Sequence, residues 1–251
     1  MAITIKSERE IELMAEAGKI LERVHNELEK ALHPGMSTKD IDTLGEKIIR
    51  SYGCIPSFLN YNGYPASICV SVNQEVVHGI PDKHRIIQEG DIVSLDAGVI
   101  YKGYHSDAAR THAVGEVSEE AKKLIQVTKE CFFEGIKYAK AGNHLFDISG
   151  AIGRYAEERG YGVVRDLCGH GIGTALHEAP EIPNYEVGRK GVKLRPGMTL
   201  AIEPMINIGT YEVDWLDDDW TVVTEDGSLA AHYENTIVIT EDGCEILTLS
   251  E

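Results

Sequence analysis

The chain has 251 residues, 43% of them hydrophobic and 26% charged, enough for a sizeable core in one large domain or two small ones. Forty-one acidic against 24 basic residues give a net charge of −17, which repels phosphate backbones and argues against nucleic acid as a tight partner. The lack of an 18-residue apolar run and the charged start MAITIKSEREIELM argue against a membrane span or secretory leader, and five scattered cysteines without a CxxC pair argue against a disulfide framework, so a cytoplasmic protein with reduced thiols is expected.

In chain order, Ser7 and Glu10 form a capping-box pattern ahead of Ile11, Met14, Ala17, Leu21, Val24 and Leu28 at helical spacing. That helix stops at His33-Pro34-Gly35. A second begins near Thr38, with Ile41, Leu44, Ile48 and Ile49 on one face, and stops at Gly53. Residues 67–73 and 91–114 read as β, the latter as a hairpin turning at Lys102-Gly103. Further helices are expected over 118–140 and 146–159, the last ending at Gly160. The remainder reads as strand and loop, with Asp226-Gly227 marking a hairpin turn.

A shift of 107 residues brings Gly35 onto Gly142, Asp40 onto Asp147, Gly53 onto Gly160, Gly90 onto Gly197 and Asp96 onto Glu203. After a slip of 20, HSD (His105 to Asp107) falls on HYE (His232 to Glu234), as though the second half carried an insertion around residues 207–226. The expectation is a single α/β domain over 1–251, built of two half-repeats of about 1–115 and 116–251 around a pseudo-twofold axis, with helices first and an antiparallel hairpin after.

This register superposes acid on acid twice. Asp96 and Asp107 lie on opposite arms of the expected hairpin, so their carboxylates should stand nearly opposite each other on one face. Two such carboxylates repel, and either share a proton or hold a cation between them. Glu203 and Glu234 add two more, which makes more than one divalent metal the economical solution. His170, in the glycine-rich GHGIGTALHEAP, would supply an imidazole and make a mixed N/O set suited to Mn, Fe, Co or Zn rather than Ca. Other motifs are missing: His177-Glu178 lacks the second histidine of a zincin helix, the glycines form neither a P-loop nor GxGxxG, and there is no Gly-x-Ser-x-Gly elbow.

SVNQEVVHGIP, SLDAGVIYKGYHSDAART, GHGIGTALHEAP, AIEPM and YENT, in that order over nearly the whole chain, resemble the type I methionine aminopeptidases. The resemblance implies a pita-bread fold and a dinuclear centre of Asp96, Asp107, His170, Glu203 and Glu234, with Asp107 and Glu234 bridging the two ions. It implies that His78 and His177 are non-ligand histidines serving the substrate amide, and that Glu203 moves protons as well as binding metal. A methionine pocket walled by Tyr61, Tyr64, Cys69, His78 and Trp220 is also implied, with Phe58 standing where a cysteine is common and Leu176 where a phenylalanine is common. The substrates would be the N-termini of nascent polypeptides with a small second residue, reached through at most a transient ribosome contact, by a monomer. Proline-specific relatives carry a further N-terminal domain and type II enzymes a helical insertion, neither of which is expected here. With Ala2 as its own second residue, the protein is expected to lose Met1.

Overall fold

The computed structural model describes residues 3–249; Met1 and Ala2, on which the expected loss of Met1 bears, lie outside the described residues. The chain runs α1 (Glu8–Ala31), α2 (Thr38–Ser51), β1 (Ile55–Pro56), a 3-10 turn (Tyr61–Gly63), β2 (Ile68–Val72), β3 (Glu75–Val77), β4 (Ile92–Tyr101) and β5 (Tyr104–Ala113). It continues with α3 (Glu119–Ile136), α4 (Leu145–Glu157), β6 (Gly162–Val163), β7 (Gly169–Gly171), β8 (Glu178–Ile182), β9 (Thr199–Ile202) and β10 (Met205–Asn207). Last come β11 (Val213–Trp215), β12 (Val222–Thr224), β13 (Ala230–His232), β14 (Glu234–Ile239) and β15 (Cys244–Ile246).

The helices form where caps and periodicity coincide. Glu10 accepts hydrogen bonds from the Ser7 backbone N–H and hydroxyl, both at 2.7 Å, which satisfies the start of α1. The apolar face of α1 buries Met14, Ala17, Leu21 and Val24 completely, each larger side chain adding about 1.5–3 kcal/mol by leaving water. Ser37 and Asp40 repeat the box on α2. Of the two later helices, α3 stops at Ile136 rather than 140, because its end tightens into three-residue steps, the Tyr138 N–H donating to the Gly135 carbonyl and the Ala139 N–H to that of Ile136, both at 3.0 Å.

A nine-stranded sheet forms the centre, in the order β1-β4-β5-β14-β9-β7-β8, with β2 on β4 and β15 on β14. Every pairing in it is antiparallel. The hairpin β4–β5 turns at Lys102 and Gly103, both at positive φ, as the two-residue turn requires. Core packing divides around the sheet: α1 and α2 pack with β2, β4 and β5, and α3 and α4 pack with β9, β10 and β14.

The Asp226-Gly227 hairpin does not form. A turn is present there, with the Thr224 hydroxyl donating to the Ser228 carbonyl at 2.7 Å, but its flanking strands join different sheets. β12 pairs with β11 and β3, whereas β13 pairs with β10. The extra segment is therefore the hairpin β11–β12, laid against β3. Among the described residues, no helix is long and apolar enough to cross a membrane.

Candidate metal centre and active site

The hairpin register sets the first two carboxylates. Because Tyr101 pairs with Tyr104, Asp96 pairs with Ala109 and Asp107 with Gly98. The two acids share one face but stand diagonally, not opposite as their positions in the sequence suggested. That diagonal, about 7–8 Å between backbones, leaves room for a cation between the side chains. β14 continues the sheet beside β5, with Glu234 opposite Ala109. Thr236 locks the two strands: its hydroxyl donates to the Asp107 carbonyl at 2.9 Å and accepts from the Asp107 N–H at 3.0 Å. Arg110, stacked over Tyr233, donates to the Glu234 carbonyl and holds that residue from behind.

His170 arrives on β7, which is a strand rather than a loop, opposite Ala201 of β9. The neighbouring glycines do not bend the backbone through positive φ. They admit adjacent chains: a Cβ on Gly169 would stand 2.4 Å from the Ala201 carbonyl oxygen, and one on Gly171 2.2 Å from that of Ala179. His170 Nδ1 donates to the Gly171 carbonyl at 2.9 Å, so in the neutral ring Nε2 turns a lone pair toward the acids. Nε2 lies 3.9 Å from Asp107 Oδ2 and 3.7 Å from Glu203 Oε1. One donor atom each from Asp107, His170 and Glu234 lie within 4.8 Å of one another, all three residues buried. Glu203, just beyond β9, and Asp96 line the same cavity.

The electrostatics favour a cation. Asp96 Oδ1, Asp107 Oδ1 and Glu234 Oε1 are buried without a hydrogen-bond partner. Burial, with the neighbouring acids, raises the Asp96 carboxyl to about 7 and pushes Asp107 and Glu234 well above the usual carboxylate range; burial raises Glu203 to about 8. Burial lowers His170 to about 3, so its ring is neutral and free to ligate. Acceptor-only oxygens around an imidazole lone pair fit a divalent ion and satisfy the orphaned atoms at once.

Above these groups opens a cavity of about 210 Å³. Phe58, Tyr64, Cys69 and Leu176 are its buried apolar walls. Trp220, on the loop entering β12, meets Tyr64 edge to face at 5.1 Å and His78 at 6.3 Å. Tyr64 is fixed by donating to the Gly79 carbonyl at 2.9 Å. His78 sits at φ 60°, a left-handed conformation that a side chain rarely adopts, and burial lowers its ring to about 4. His177 lies at the mouth, its ring against His170 at 4.2 Å and its Nδ1 2.9 Å from the Tyr61 hydroxyl. All thirteen residues singled out in the sequence thus meet around one cavity.

Sequence reasoning missed His232. Its buried ring places Nε2 3.6 Å from Glu203 Oε2, behind the acids. The overlay of HYE on HSD contains it, opposite His105, but a histidine two residues from an acid carries no metal-site signal by itself. Leu167, Cys168 and Met205 also line the cavity, and as ordinary apolar residues they carried no signal.

Residues 12–241 match metallopeptidase family M24. The chain is 59% identical to "Methionine aminopeptidase" of Clostridium acetobutylicum, over 99% of this chain and 100% of that protein. It is 51% identical to "Methionine aminopeptidase 1" of Bacillus subtilis, over 98% and 99%. The chain belongs to the M24 metallopeptidases, on their methionine aminopeptidase branch. A crystal structure of methionine aminopeptidase from Thermotoga maritima superposes with a TM-score of 0.97 at 48% identity, over 99% of this chain and all of that one. The curled antiparallel sheet with its flanking helices is accordingly the pita-bread fold, and this M24 member is an enzyme that uses divalent metal.

Proposed function

We propose that the protein removes the N-terminal methionine from polypeptides whose second residue is small. The observation that carries this reading is the narrow apolar cavity closing directly over the carboxylate and imidazole cluster: an unbranched thioether fits its aromatic and thiol walls, and the scissile bond then lies at the cluster. Asp96, Asp107, His170, Glu203 and Glu234 would hold two ions, drawn from Mn, Fe, Co and Zn. When bound, such ions supply Lewis acidity and lower the pKa of a coordinated water toward neutrality. The chain's own residues do the rest. The cavity seats the methionine side chain and excludes water from it, while Glu203, pushed up to about 8 when metal-free, is placed to take and return a proton. His78 and His177 face the carbonyl and leaving nitrogen as hydrogen-bond donors.

The cytoplasm is the natural setting, with nascent chains as substrates, no more than transient ribosome contact, and a monomer as the working unit. The two helix pairs around one sheet support reading residues 1–251 as one domain of two half-repeats, about 1–115 and 116–251.

The test strips the protein with chelator and follows methionine release from Met-Ala-Ser with and without Mn²⁺ or Co²⁺. Metal should restore cleavage at least about a hundredfold, and Asp107→Ala should abolish it. Cleavage of an X-Pro peptide instead would move the activity to imidodipeptide chemistry, and no cleavage under any metal would overturn the reading.

A further inference from the structure

Tyr61 stands on the 3-10 turn at the cavity mouth, where its ring counts naturally as pocket wall. Its hydroxyl, however, meets His177 Nδ1 at 2.9 Å, and the two rings stand edge to face at 5.1 Å and 75°. The contact is open to two opposite readings. If His177 donates from Nδ1, its Nε2 carries a lone pair and the histidine can only accept a proton at the reacting amide. If Tyr61 donates, the neutral imidazole keeps its proton on Nε2 and presents a donor there.

The chemistry of the two groups decides between them. A phenol O–H is a stronger donor than the N–H of a neutral imidazole, and an imidazole nitrogen a stronger acceptor than a phenol oxygen, so the 2.9 Å contact runs from the Tyr61 hydroxyl to Nδ1. A neutral phenol can donate one proton, and no other acceptor competes for it among the described contacts. The His177 ring also meets the His170 ring edge to face at 4.2 Å, so it is held between two neighbours.

We infer that Tyr61 is a positioning residue: its hydroxyl holds His177 as the Nε2–H tautomer and so makes that histidine a hydrogen-bond donor to the reacting amide. Resting on the proposed aminopeptidase reaction, this names the work of His177 within it. The wall of the pocket and the setting of the tautomer are separate functions of one side chain, and Tyr61→Phe separates them, because phenylalanine keeps the wall and loses only the hydroxyl.

Two measurements on the full chain test it. In the zinc-loaded, ¹⁵N-histidine-labelled protein at pH 8, long-range ¹H–¹⁵N correlation should show His177 protonated on Nε2 alone. His177→Ala assigns the resonance, and Tyr61→Phe should give a mixture of both tautomers. In Met-Ala-Ser cleavage, Tyr61→Phe should lower kcat about tenfold, the worth of one hydrogen bond, with KM changed less than twofold. Tyr61→Phe combined with His177→Ala should be no slower than His177→Ala alone. An Nδ1–H tautomer in the unaltered protein, an unchanged kcat in Tyr61→Phe, or additive losses in the double variant would each overturn the inference. Were the unaltered protein inactive on Met-Ala-Ser, the aminopeptidase reading would fall, while the tautomer would still be decided by the spectrum.

Discussion

The acids of the centre make a side-chain-level account of pH possible. Asp96 titrates near 7 and Glu203 near 8 in the folded, metal-free protein, against about 4 in an unfolded chain. Between those limits the folded state binds more protons than the unfolded one, so these groups lose stability as pH rises through their folded values. The buried histidines oppose this at lower pH. His78, His170 and His232 are held at about 4, 3 and 4, so their contribution grows with pH but is complete by about 6.5, where an unfolded histidine has given up its proton. Above 6.5 the carboxylates lead, joined toward pH 8.5 by the five cysteine thiols, which burial also raises and which act in the same direction. The chelator-stripped protein is therefore expected to lose melting temperature steadily from pH 6.5 to 8.5, and the same scan with excess divalent metal should flatten. A metal-free scan that stays level, or rises, would contradict the burial of these acids. How much of this was legible in the sequence depends on the residue. Asp96, Asp107, Glu203 and Glu234 announced themselves through the internal overlay, because like-charged groups at matching positions need a common explanation. His232 and the Tyr61 hydroxyl did not, since their importance lies in contacts of 3.6 and 2.9 Å that no spacing rule reveals.

At the scale of single elements, helices were the most readable, because a cap and an apolar stripe are local properties of consecutive residues. The Ser7–Glu10 and Ser37–Asp40 boxes and the turn at Lys102-Gly103 lie where local chemistry puts them. Strand partnership is not local. Asp226-Gly227 has hairpin composition, yet β12 and β13 go to different sheets because β3 and β10 offer them edges. Glycine meaning was similarly hidden: Gly169 and Gly171 reflect crowding by Ala201 and Ala179, atoms far away or turned back in the chain. Gly18 is a third case. It lies in the buried face of α1, where an added Cβ would stand 1.9 Å from the Leu247 carbonyl oxygen. Helix propensity favours Gly18→Ala by about 1 kcal/mol, but the backbone it would strike cannot rotate away as a side chain can. Overpacking should win, and the variant is expected to be destabilised by about 1–3 kcal/mol in urea unfolding, with metal-dependent cleavage per folded molecule unchanged. A stabilised variant would show that α1 and the C-terminal segment separate easily.

Over the whole molecule, a net charge of −17 surrounds a mouth that admits the positively charged end of a chain. Such a field raises encounter rates with cationic ligands and is screened beyond about 8 Å at physiological salt. Peptides beginning Met-Ala-Ser and continuing with lysines should accordingly show a higher kcat/KM than those continuing with glutamates at 20 mM salt, and the ratio should approach one at 0.5 M. Equal values at low salt would mean that local contacts at the mouth outweigh the overall field. The sheet that gathers the centre also sets a schedule for the chain's own manufacture. Asp107 and Thr236, locked together across adjacent strands, are 129 residues apart, and Glu234 follows almost the whole of the second half. As the chain is synthesised, its start is exposed long before the last carboxylates exist. The four carboxylates and the imidazole of the centre therefore come together only once β14 has been made, and a chain cut short before Glu234 lacks part of the ligand set however well its first half folds.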